Sequence, residues 1–185
     1  MSRILTKLIL VICGLVFGWA SALYSIDTLG STAVGDTGSW RKWEIAPGTS
    51  GNTYAVAHFL LNGKVPPAQS LFRVYSNARD DEGGLLRSDC VYALSAGELG
   101  SRWWSLSVLP FSDADTQSTA VITSDEIVRA SDGSMIVSVA RHPIPGNWVR
   151  PATDGNMEIQ LFVANDGSSK IASDLSLPTV QRVGC

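Results

Sequence analysis

Hydrophobic positions change their spacing twice along this chain. From Leu8 to Ile26 they run as LILVICGLVFGWASALYSI, with no charged residue until Asp27. A run this long and apolar can cross a hydrocarbon core as a helix; in a water-soluble domain it would need burial on every side. From Thr53 to Leu61 the spacing predicts a short helix, with Thr53 placed as its cap and Tyr54, Ala57, Leu60 and Leu61 on one face. Asn62-Gly63 stops that helix and Pro66-Pro67 prevents its resumption.

Beyond the prolines the period becomes two. Strands are predicted at 70–75, 90–95, 102–108, 119–123, 135–140 and 157–163. In the third, Trp104, Leu106 and Val108 share a face; in the last, Ile159, Leu161 and Val163 do. Ser131-Asp132-Gly133-Ser134 reads as a hairpin turn. Asp125-Glu126-Ile127-Val128 could begin a short helix or form a connecting loop. Fairly even strand spacing without βαβ alternation predicts a mainly β fold: an antiparallel β-sandwich or jelly-roll-like domain with one short helix, preceded by a transmembrane helix. The expected organisation is a membrane anchor or signal peptide at 1–26, an irregular lead-in at 27–52 and the β-sandwich domain at 53–185.

Charge decides the orientation expected for the first segment. Arg3 and Lys7 precede it and no acid does, so the N-terminus should stay cytoplasmic and the rest translocate. Ala20-Ser21-Ala22 offers a small-residue cleavage site, which would release a secreted or periplasmic protein. Trp19 and Tyr24 lie where interfacial aromatics anchor a spanning helix, and apolar character continues through Ile26. The reading preferred here is an uncleaved single-pass anchor in a bacterial inner membrane, with the C-terminal domain periplasmic. Cys13 lies in the apolar run; Cys90 and Cys185 lie beyond it. In an oxidising compartment the latter two can form one bridge, tying down the tail, and the alternative is two unrelated thiols.

Little else points to chemistry. The net charge is -3, and no basic face suggests a nucleic-acid partner. The run Arg79-Asp80-Asp81-Glu82 reads as a solvated loop. His58 and His142 are the two histidines, too few for a metal site without carboxylate or thiol partners at ligand spacing. No cofactor is expected, and neither a Gly-x-Ser-x-Gly elbow nor a phosphate loop occurs. Asp113, Asp115, Asp125 and Glu126 could supply paired carboxylates for sugar cleavage, but all fall in or near predicted turns.

The segment Arg141 to Pro151, RHPIPGNWVRP, is the richest in binding groups. Trp148 and Asn147 suit a sugar, whose face stacks on an indole and whose hydroxyls bond an amide. Arg141 and Arg150 suit a carboxylate, and His142 can both donate and accept. In the structural alternative, Trp148 plugs the sandwich end and Asn147 closes a turn on backbone. The expected partners are the membrane, through the N-terminal helix, and an envelope protein or small polar ligand. The competing expectation is an enzyme acting on glycans or acidic small molecules at the sandwich mouth.

The runs RWWSLSVLPF (Arg102 to Phe111), SDGSMIVSVA (Ser131 to Ala140) and PGNWVRP (Pro145 to Pro151), followed by MEIQLFV, resemble the bacterial domain-of-unknown-function family 1214. The resemblance extends from about Ser70 to the C-terminus. It is nearest to a short type with one N-terminal membrane segment and a Cys before the Trp strand. It implies a β-sandwich-like fold and an envelope location, and no activity.

Overall fold

The computed structural model describes residues 2–31, 34–43, 53–61, 71–110, 120–151, 154–165 and 175–185. The chain forms two compact units. One comprises Met1–Ala33 and Ile45–Pro66; the other comprises Val34–Glu44 and Pro67–Cys185.

The first unit holds two helices, α1 (Ser2–Ser31) and α2 (Thr53–Leu61), which pack against each other. The stretch Arg3–Leu29 of α1 is long and apolar enough to cross a membrane, and its most apolar window is not buried. At about 1.5 Å per residue, α1 is about 45 Å long, which exceeds a hydrocarbon core of about 30 Å. It continues unbroken through Ala20-Ser21-Ala22. The Ser21 hydroxyl donates to the Gly18 carbonyl at 3.0 Å and that of Ser25 to the Ser21 carbonyl at 2.8 Å. These hydroxyls are therefore satisfied inside the helix and leave no polar face. The α2 boundaries match the sequence expectation.

The second unit is a two-sheet sandwich, as the period-two pattern predicts. Its strands are β1 (Val34–Thr37), β2 (Trp40–Trp43), β3 (Phe72–Asn77), β4 (Val91–Ala96), β5 (Trp104–Pro110), β6 (Ala120–Thr123), β7 (Met135–Val139), β8 (Asn147–Val149), β9 (Met157–Ala164) and β10 (Thr179–Gly184). The larger sheet has the order β1-β2-β3-β9-β5-β6 and is antiparallel throughout; the smaller has the order β10-β4-β7-β8. In the larger sheet, Tyr75, Leu161, Leu106 and Ile122 lie in one cross-strand row. They meet Tyr92, Leu94, Val137, Val139 and Val180 of the smaller sheet in one buried core. Trp40 enters the same core, and its indole N–H donates to the Pro178 carbonyl at 2.6 Å.

Besides the unexpected strands β8 and β10 and the placement of α2 in the unit of α1 rather than with the sandwich expected at 53–185, three features depart from the sequence reading. Part of the supposedly irregular lead-in is a hairpin: β1 and β2 turn at Gly38, whose φ of 67° suits glycine, and β2 pairs with β3. The Asp132-Gly133 turn joins no paired strands, because β6 and β7 belong to different sheets. It is a tight turn at a crossover, with Gly133 at φ 81° and the Ser134 N–H donating to Asp132 Oδ1 at 2.9 Å. Finally, β7 and β8 pair in parallel, against the expected antiparallel order. The segment 140–146 has only to travel back about 10 Å, three residues of strand. Seven residues suffice, and Pro143 and Pro145 favour an extended return. Asp125 and Glu126 form a turn, and Glu126 Oε2 accepts the Thr123 N–H at 3.1 Å.

Candidate functional site

The binding-rich segment 141–151 comprises most of the β7–β8 connection, β8 itself and the two residues after it, and most of its polar groups bond the fold itself. Asn147, the first residue of β8, accepts the Val128 N–H on Oδ1 at 2.8 Å. Its amide nitrogen donates to the Val128 carbonyl at 2.8 Å and the Ile136 carbonyl at 3.0 Å. One side-chain amide thus pairs with a backbone residue as a second strand would, and stitches the β6–β7 connection to β8. The half-buried Trp148 donates its indole N–H to the Ala140 carbonyl at 2.9 Å, across the loop that precedes it. Both side chains therefore bond backbone.

Arg141 is also engaged. Its Nε donates to the Ser88 carbonyl at 3.0 Å and its Nη2 to the Ser88 hydroxyl at 3.1 Å, and it forms an ion pair with Asp154. Ser88 Oγ accepts the Gly155 N–H at 2.9 Å. The guanidinium therefore ties three loops together, from the β3–β4, β7–β8 and β8–β9 connections. Asp154 is 87% exposed, so this carboxylate stands in water rather than in a shielded acid–base site. His142 and Arg150 are exposed. Asp89 lies nearby in charge terms: Arg87 grips it in a two-pronged pair at 3.0 and 2.6 Å. That hydrogen bonding, reinforced by the positive charge of Arg141, holds the Asp89 carboxyl below its ordinary value.

A second polar cluster lies outside the segment singled out above. Within the run taken as a solvated loop, Arg79, Asp81 and Glu82 are exposed, but Asp80 is 2% exposed. Its backbone N–H donates to the Gly84 carbonyl at 2.8 Å, and its Oδ1 accepts the Gly84 N–H at 2.7 Å. Its Oδ2 makes no hydrogen bond and lies 2.6 Å from Arg182 Nη2 of β10, a charge contact without hydrogen-bond alignment. Burial disfavours the Arg182 cation, but Asp80 and Tyr92 outweigh it and raise its pKa above the ordinary value. Tyr92 Oη also accepts the Arg87 N–H at 2.9 Å. A Cβ at Gly84 would meet the Arg182 guanidinium, which would have to swing aside, and would lie 3.1–3.2 Å from the Asp80 carboxylate oxygens. The available signal was Asp80 four residues before Gly84, a spacing that lets a carboxylate close its own loop.

Cys90 and Cys185 are disulfide-bonded across a sequence separation of 95 residues. Cys13 is a free thiol on α1. Among the described residues, no three His, Cys, Asp or Glu side chains gather as metal ligands. Asp113 and Asp115 lie outside the described residues, as does the side chain of His58.

No protein-family model and no curated protein matches the chain. Among solved structures, the VPA0106 protein from Vibrio parahaemolyticus aligns with a TM-score of 0.58 at 13% identity, over 90% of this chain and 43% of that one. An uncharacterised protein from Burkholderia cenocepacia aligns with a TM-score of 0.46 at 16% identity, over 60% of this chain and 29% of that one. The chain spans less than half the length of either. The first likeness supports the sandwich fold alone.

Proposed function

We propose that this chain is a non-catalytic envelope protein: α1 anchors it in the bacterial inner membrane, and the sandwich serves in the periplasm as a binding or accessory domain. The observation that carries the reading is the pairing of an apolar, unburied α1 with a disulfide in the sandwich. An apolar helix of this length is stable in lipid and costly in water. A disulfide persists in an oxidising compartment. Arg3 and Lys7 at the head of α1 favour a cytoplasmic N-terminus. The unbroken helix through Ala20-Ser21-Ala22 favours an anchor over a cleaved leader. The sequence resemblance to family 1214 fits the same location.

The accessory role rests on the engagement of Arg141, Asn147 and Trp148 by the fold itself. A small polar ligand would be left with the exposed His142 and Arg150 of that segment. The test is the intact mass of protein extracted without reductant from washed bacterial membranes. The expected result is full-length chain, lighter than its reduced form by the hydrogens lost in one disulfide. A chain starting near Leu23 in the soluble fraction would overturn the anchor, and free Cys90 and Cys185 thiols would overturn the periplasmic assignment.

A further inference from the structure

Three of the four residues that define the apolar face of α2 are exposed. Leu60 is 61% exposed and Leu61 59% exposed, and Tyr54 is exposed beside them. At helical spacing these three lie on a continuous arc with Thr53 and Ala57, about a third of the helix circumference. Thr53 is exposed and Ala57 half-buried. No residue from Thr53 to Leu61 carries a fixed charge. An ordinary surface helix turns its apolar stripe to a core and its charges to water; α2 has exposed leucines and no charged face.

The chain's path adds a second argument. It leaves α1 for the sandwich at Val34, builds the β1–β2 hairpin, and then rejoins the helical unit at Ile45 before entering the sandwich again at Pro67. This detour places α2 against α1, the helix suited to lipid. Nine residues cannot cross a bilayer, but a short helix with an apolar side can lie in its interface.

We infer that α2 is a second membrane contact, with the Tyr54, Leu60 and Leu61 face immersed in lipid beside α1. This inference rests on the anchor reading above. The two are separated by placing nitroxide labels on the full-length, disulfide-intact chain in phosphatidylethanolamine–phosphatidylglycerol vesicles. Native Cys13 reports on α1. L60C and, as an independent site, L61C report on α2 in a C13S background, and V128C on the exposed β6–β7 connection serves as the aqueous reference. Labels at 60 and 61 should collide several-fold more with oxygen, relative to a water-soluble nickel chelate, than the label at 128. A nickel-favoured label at both α2 sites, with Cys13 still in lipid, overturns the α2 contact alone. Labels shielded from both reagents would mean a protein cover and would also overturn it. A water-exposed Cys13 label would remove the anchor and the α2 contact together.

Discussion

The two outer strands of the smaller sheet are held by different means. On one side β10 pairs with β4, and the Thr179 hydroxyl reaches the Ser95 carbonyl across 84 residues of sequence. On the other side β8 pairs with β7, and Asn147 reaches the Ile136 carbonyl across 11. The distant strand has a disulfide, the contact of Arg182 with a buried carboxylate, and the Val180 N–H bonded to Asp81 Oδ2 at 3.0 Å. The nearby strand has the three Asn147 hydrogen bonds and the Trp148 indole. Closing a longer loop loses more chain entropy, although the loss grows slowly with length. The strand that returns from farther away is the one with covalent and ionic ties.

Removing the covalent tie should have the largest effect. By the chain-entropy argument, a cross-link closing a loop of 95 residues stabilises by about 4–5 kcal/mol. Urea unfolding of the oxidised chain should therefore show a much higher midpoint than that of the C90S/C185S variant. Hydrogen exchange should locate the loss first in β10, with β8 amides protected to higher denaturant. Equal midpoints would mean that the remaining β10 contacts suffice alone, and the contrast between the strands would disappear.

Asp80 is the next contact to break. Asp80→Ala leaves the Gly84 N–H without its acceptor. Loss of a hydrogen bond to a charged acceptor of this kind costs about 1.5–3 kcal/mol. Asp80→Asn keeps an acceptor for Gly84 but turns an amide NH2, a donor, towards the Arg182 guanidinium in place of the carboxylate oxygen, so chemical denaturation of the two variants separates loop closure from the contact with Arg182. If Asp80→Asn is as stable as the parent while Asp80→Ala is not, the carboxylate serves the loop rather than β10.

The same contrast explains what could be read from the sequence. In β4, β5, β7 and β9 the residues that enter the core recur at every second position, so the side-chain pattern marks these strands; β3 and β6 each place one buried residue in that core, Tyr75 and Ile122. β8 has three residues between Gly146 and Arg150, too few for a period to show. β10 shifts register between Arg182 and Gly184, which leaves Val183 exposed and spoils its alternation after Val180. In β2, Trp40 points into the core, but the second tryptophan follows three residues later at Trp43, a spacing that breaks period two. Asp80 was hidden because its neighbours Arg79, Asp81 and Glu82 are solvated and a charge run has no internal mark of its one buried member. For Asn147 and Trp148 the residue types suit both sugar and backbone. Only the position of Val128, brought alongside from another connection, decides which groups the amide meets.

Asn147 gives the smallest of the three effects and the sharpest test of how β8 is held. Asn147→Ala removes three hydrogen bonds, but Val128 is exposed and water can replace its partner. The expected loss is about 1–2 kcal/mol, near the value of ordinary hydrogen bonds rather than of orphaned buried groups. Asn147→Asp distinguishes a paired amide from a simple acceptor. Its carboxylate still accepts the Val128 N–H, yet it turns the two donations to Val128 and Ile136 carbonyls into repulsions between oxygens. The Asp variant should therefore be less stable than the Ala variant at neutral pH, and should recover towards it as the new carboxyl is protonated in acid. The measurement is the difference in urea midpoint between the two variants at neutral pH and at about pH 3, below the ordinary carboxylate range. A difference that stays constant with pH would mean that the Asn147 donor bonds contribute nothing, and that β8 is held by Trp148 and its backbone pairing to β7 alone.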